Sequence, residues 1–241
     1  GALAASAAAF GGLSAVLAVS FGGLGAGLVG YKVARRIGDI QEFELVLVDA
    51  SPGPAVTIGV AGWLDGDNDS AWAVWDPALR QGVCDPGEVL ALSWESHELR
   101  RLGTVLSTYI KSQAVSYSIN MVGTAVIGAA FATLAWPRAL LGAAGWIDSA
   151  WSMVQIRADQ AGEELGRALL ARTQGSRPVT LVGYGMGARV VVKCLLHLHA
   201  AGYAGQGIVE TAVCLGTPLP ADPHLWAAAA QACGHRLGDG Y

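Results

Sequence analysis

One stretch limits the folds open to this chain: Arg177-Pro178-Val179-Thr180-Leu181-Val182-Gly183-Tyr184-Gly185-Met186-Gly187-Ala188-Arg189-Val190. Pro178 to Val182 is apolar, rich in β-branched residues and bounded by Pro and Gly, which predicts a buried strand. Ala188 to Ala201 repeats apolar residues at helical spacing. Between them stands only the alternation Gly183-x-Gly185-x-Gly187, too short for a loop. A strand that turns straight into a helix belongs to a layered α/β architecture, with a mostly parallel sheet and flanking helices.

Corners of this type hold the serine of α/β-hydrolases, in the pattern G-x-S-x-G on a strained strand-to-helix turn. Here Gly183, Tyr184 and Gly187 frame the corner, and Gly185 stands where the nucleophile belongs. With no hydroxyl or thiol at that position, an acyl-enzyme cannot form there. Glycine accepts the strained backbone most easily, and the backbone N–H of Met186 stays available to an oxyanion. Gly183-x-Gly185-x-x-Ala188 also fits a dinucleotide fingerprint, which requires an acidic residue ending the next strand about 20 positions on. Glu210 opens that strand instead, and several strands precede the corner, so dinucleotide binding is the disfavoured alternative and no cofactor is expected.

The other parts of such a site are sought in chain order. Glu42–Asp49, Ala55–Ala61 and Glu88–Trp94 read as strands, and Gly207–Leu215 as the strand after the corner helix. The second strand runs into Gly62-Trp63-Leu64, where this fold places half of an oxyanion hole, so Trp63 and Leu64 are candidate donors beside Met186. The triad order Ser, acid, His puts the last two members late in the chain. Acid and histidine are therefore expected beyond Tyr241, or lost; within the chain the one candidate acid is Asp239, at the start of a strand expected near the end rather than at its finish. Cys194 falls about two turns into the corner helix, a core position. His97, His197, His199, His224 and His235 have no evident partner, and a base needs a nucleophile within reach. Asp65, Asp67 and Asp69 have the spacing of a calcium loop, but Ser70 replaces its glycine and Asp76 its bidentate Glu, so a solvated acidic loop is the better reading and no metal is expected.

Helices are expected over His97–Lys111 and Trp151–Thr173, the latter capped by Asp148 or Ser149, and over Pro223–Cys233 with Asp222 as cap. The chain is 53% hydrophobic and 14% charged, with a mean hydropathy of +0.43; soluble domains average roughly 25% charged. Residues 1 to 31 carry no charge, contain Gly23-x-x-x-Gly27, and are followed by Lys32, Arg35 and Arg36. Length, small residues and basic flank fit a membrane segment better than a signal peptide or a buried glycine-rich helix pair. Residues 112 to 137 are again uncharged, but a single crossing there would split the sheet across the bilayer, so a buried or interfacial helix is expected. The net charge of -4 without a basic block excludes a nucleic-acid partner. Cys84, Cys194, Cys214 and Cys233 show no C-x-x-C pair, which points to reduced intracellular thiols. Starting at Gly1 and stopping at Tyr241 as another strand begins, the chain reads as a fragment, incomplete at its C-terminus.

These residues resemble the transmembrane and coiled-coil domain-containing family of predicted α/β-hydrolases, formerly a domain of unknown function. The likeness spans Phe21–Lys32, Glu42-Phe43-Glu44, Gly62-Trp63-Leu64, Leu92-Ser93-Trp94-Glu95, Ala135-Trp136-Pro137, Ile147-Asp148, Arg177–Leu181 and Gly187-Ala188-Arg189-Val190. It implies a membrane-associated hydrolase fold acting on a lipid or another ester. The family pattern G-[YF]-S-[LM]-G is broken here at Gly185.

The expectation is therefore a hydrophobic membrane segment over 1–36 and an α/β-hydrolase-like domain over 37–241, with an apolar helical insertion at about 96–147. Its partners are a membrane and a lipid or ester ligand. Without the serine the chain is expected to be inactive; the alternative is a non-catalytic membrane scaffold or binding protein.

Overall fold

Strand β1 (Phe43–Asp49) leads to β2 (Ala55–Val60), and β3 (Gly87–Trp94) follows. The computed structural model describes residues 40–51, 53–66, 70–75, 87–116 and 145–240. Helix α1 (Ser96–Ser116) and helix α2 (Gly145–Leu170) precede β4 (Val179–Tyr184) and helix α3 (Met186–Ala200). A short 3₁₀ turn, β5 (Val209–Leu215), α4 (Pro223–Ala232) and β6 (Cys233–Gly240) complete the described fold. The N-terminal segment over 1–36, Asp67, Asp69 and Asp76 of the acidic loop, and all but the first residues of the 112–137 window lie outside the described residues.

The six strands form one sheet in the order β1-β3-β2-β4-β5-β6. Only β1 runs antiparallel to its neighbour; the other pairs are parallel. Every residue of β2 is buried, as a central strand covered on both faces requires. One face carries the main core, where Ile58, Val60 and Leu181 meet Val190, Val191 and Leu195 of α3 and Leu165 of α2. The other holds a smaller cluster of Trp75, Val89 and Ala91, with Val182 and Tyr184 packed against it.

Chain connections run outward to β3 from β2 and outward to β5 from β4, so adjacent β2 and β4 form the switch point of the sheet. In open α/β sheets a crevice opens at the carboxyl ends of such a strand pair. Here those ends carry Gly62-Trp63 and Gly185. The start of α1 is capped from a distance: the Glu42 carboxylate accepts from Ser96 N (2.9 Å) and Ser96 Oγ (2.8 Å). That satisfies an orphan helix N–H and places negative charge at the positive end of the helix.

Several helix boundaries differ from expectation. Helix α2 starts at Gly145, so Asp148 and Ser149 lie inside it rather than at its start. Helix α1 continues past Lys111 to Ser116. Helix α4 ends at Ala232, and Cys233 already belongs to β6. The expected cap does form there, with Asp222 Oδ1 accepting from His224 N at 2.9 Å.

Candidate functional site

The corner is built by close approach. A β-carbon on Gly187 would collide with the carbonyl of Val60, and one on Gly183 would lie 2.7 Å from Gly187 O. Both glycines let α3 start directly against β2 and β4. Gly62 makes the matching approach from the β2 side, against Tyr184 O. Gly185 itself has φ 55° and ψ −124°, a conformation that L side chains rarely adopt. Its N–H donates to Leu215 O at 2.8 Å, and its carbonyl accepts from Arg189 N at 3.2 Å.

Trp63 lies over this corner. Its ring meets that of Tyr184 edge-on, with centroids 4.5 Å apart and planes 80° apart. The Tyr184 hydroxyl donates to Trp63 O at 2.9 Å. Trp75 also packs against Tyr184, with ring centroids 5.6 Å apart. A β-carbon at position 185 would stand 2.8 Å from Cζ3 of Trp63.

The other sequence-predicted residues fall out as follows. Leu64 is fully buried and its N–H donates to Leu99 O at 3.3 Å, so that N–H is not aimed at a ligand. Met186 is the first residue of α3, where helix N–H groups lack intrahelical partners. Asp239 is the penultimate residue of β6, near the carboxyl end of the strand rather than at its start. It pairs in register with Cys214, which pairs with Gly183, so the carboxylate stands two strands across from the corner at the same level. Thr217 Oγ1 donates to Asp239 Oδ1 at 3.1 Å.

The histidines are not gathered at the corner. His97 opens α1 and contacts Glu98 at 3.1 Å, His197 and His199 sit in the last turn of α3, His224 begins α4 and His235 lies on β6. Burial pushes the Cys194 thiol up, the Cys214 thiol up to about 12 and the Cys233 thiol up to about 11, which keeps all three protonated near neutrality. Among the described residues no group of His, Cys, Asp and Glu could hold a metal ion.

Sequence reading missed how the corner is braced. Arg189 grips Asp159 of α2 through Nε (2.6 Å) and Nη2 (2.9 Å), while Nη1 donates to Pro218 O at 3.0 Å. Lys193 adds a contact to Asp159 at 3.1 Å. One guanidinium thus ties α3, α2 and the loop after β5 together. Arg189 within the corner motif was visible in the chain; its partner 30 positions earlier was not.

A family model described as a protein of unknown function, DUF726, matches residues 1–241. The chain belongs to this family. Among its relatives it is 36% identical over 234 residues to the transmembrane and coiled-coil domain-containing protein STS1 of Oryza sativa subsp. japonica, covering 95% of this chain and 34% of that one. It is 35% identical over 232 residues to an uncharacterized membrane protein, F35D11.3, of Caenorhabditis elegans, covering 95% and 36%. It is 29% identical over 228 residues to the probable lipase MIL1 of Saccharomyces cerevisiae, covering 94% and 20%. The chain thus spans about a third or less of these relatives. No solved structure matches. The names borne by these DUF726 relatives support membrane association; no described helix is long and apolar enough to cross a bilayer.

Proposed function

We propose that this chain is the hydrolase-like domain of a membrane protein whose corner binds a lipid or ester ligand without forming an acyl-enzyme. The hydrolase-like reading is supported by the strand–corner–helix unit at the switch point, the antiparallel first strand and Asp239 near a strand end. One observation carries the loss of chemistry: the strained corner position where the nucleophile belongs is Gly185, with no hydroxyl or thiol, and Trp63 occupies the space beside its Cα. A lipid or ester ligand is favoured because a relative is named a probable lipase and others are named membrane proteins.

The test is labelling of the purified full-length protein with a fluorophosphonate probe, which requires an activated serine. The expected result is no adduct; an adduct mapped to any serine of this domain overturns the proposal. The variant Gly185→Ser, assayed for p-nitrophenyl ester turnover, then separates a dormant site from a dismantled one. Turnover in the variant means that acid and base survive around the corner.

A further inference from the structure

Four glycines meet at the corner, and what stands over each decides whether its space can open. An added β-carbon on Gly62 would lie 2.7 Å from Met186 N, one on Gly183 2.8 Å from Ala188 N, and one on Gly187 2.8 Å from Ala61 C. All three obstructions are backbone, which can withdraw only by unpacking β2, β4 and α3 from one another. Gly185 differs. Its two nearest atoms are Cζ3 and Cε3, at 2.8 and 3.1 Å, on the far edge of the Trp63 indole. The next nearest described atom is Gly62 Cα at 3.9 Å, an ordinary contact distance. The space beside Gly185 is therefore closed by the end of a side chain.

The backbone that carries this side chain is fixed on both sides. Fully buried Trp94 donates through Nε1 to Ala61 O at 3.0 Å. Fully buried Leu64 donates through its N–H to Leu99 O at 3.3 Å. Between them the Trp63 carbonyl accepts from the Tyr184 hydroxyl at 2.9 Å. The loop cannot lift without breaking these bonds and exposing Leu64. The indole is only half-buried and meets Tyr184 edge-on. It turns about its own two torsions, which leave the backbone where it is.

We propose that Trp63 is a lid on the Gly185 corner: its indole and the acyl group of a ligand compete for one space, and binding swings the ring away while Gly62, Trp63 and Leu64 keep their backbone positions. A ligand carbonyl that accepts from the Met186 N–H brings its acyl carbon toward Gly185 Cα, where the ring stands in the closed state. Opening gives up the edge-on contact with Tyr184, which lowers apparent affinity by up to about tenfold. The lid rests on the reading of the corner as an ester or lipid site.

Fluorine NMR of the full-length protein, carrying 5-fluorotryptophan and titrated with methyl hexanoate, tests the competition. The Trp63 resonance, identified by its loss in Trp63→Phe, is expected to move as the ester binds, while that of Trp94 stays. Calorimetric titration of Trp63→Ala with the same ester is expected to show binding severalfold tighter than in the parent. Trp63→Leu, which keeps part of the apolar volume, gives an intermediate gain and serves where Trp63→Ala does not fold. Tyr203→Ala, altered in the turn at the far end of α3, binds as the parent does. A Trp63 resonance that stays in place while the ester binds overturns the lid, as does equal or weaker binding by both Trp63 variants; the proposed function survives both results. Absence of ester binding in the parent and in both Trp63 variants overturns the acyl site itself, and the lid with it.

Discussion

The indole of Trp63 stands against Cα of Gly185: a β-carbon there would lie 2.8 Å from Cζ3 and 3.1 Å from Cε3. The ring is held by its edge-on contact with Tyr184, whose hydroxyl also binds the Trp63 carbonyl. Gly185→Ser is therefore strained twice, by its positive φ and by the ring, at a cost of about 1–3 kcal/mol. Trp63→Ala in the Gly185→Ser background is expected to recover part of that loss. Urea denaturation of the two single variants and the double variant checks this; strictly additive costs would show that the ring exerts no pressure on position 185.

Gly187 has no comparable relief, because the atom facing it is the backbone carbonyl of Val60. Gly187→Ala must push α3 away from β2, and a loss of more than about 3 kcal/mol, or failure to fold, is expected. At Gly234 the nearest atom to an added β-carbon is 3.8 Å away, so Gly234→Ala is expected to be close to neutral. Melting temperatures of the two variants make the comparison directly.

Arg189 is mostly buried and Asp159 is about one-third exposed. Arg189→Met leaves that carboxylate with only Lys193 and frees Pro218 O, at an expected cost of about 2 kcal/mol, below the range for a fully buried pair. Arg189→Lys keeps the charge but loses the fork, and is expected to recover less than half. Combining Arg189→Met with Asp159→Asn should be less than additive in a double-mutant cycle.

Thiol burial has a consequence for alkaline stability. The folded state holds Cys194, Cys214 and Cys233 protonated well above the ordinary thiol range. Unfolded thiols lose their protons first, so above about pH 9 the unfolded state binds fewer protons and stability falls as pH rises. The contribution is complete below pH 9 and is lost through the window up to about 11 for Cys233 and about 12 for Cys214. A Cys214→Ala variant is expected to show a shallower decline between pH 9 and 10.5 than the parent (roughly 1.4 kcal/mol per pH unit at most for one thiol), read by chemical denaturation. At pH 8, alkylation followed by peptide mass spectrometry is expected to modify half-buried Cys233 ahead of Cys194 and Cys214.

Much of the frame was legible because local rules carry it. Strands β1 to β5 announced themselves through β-branched runs, and the corner through glycines that nothing else at that spacing explains. The ends of elements were less legible. Helix α2 begins at Gly145, ahead of its apparent caps at Asp148 and Ser149, because capping preference is a weak local signal for where a helix starts. Asp239 was expected to begin a strand, yet pairing with β5 pulls β6 back to Cys233 and carries Asp239 to the far end. Leu64 looked like an oxyanion donor from its place after β2, but α1 crosses above it and accepts its N–H at Leu99 O.

The sequence alone determined the α/β class, the strand-to-helix corner and the absence of a nucleophile at Gly185, since each depends on residues adjacent in the chain. Only the tertiary structure decided that Trp63, more than a hundred residues earlier, fills the space beside Gly185 and that Asp159 braces Arg189. Those relationships depend on strand order and helix register, which are settled by burial and close packing across the sheet rather than by any local pattern.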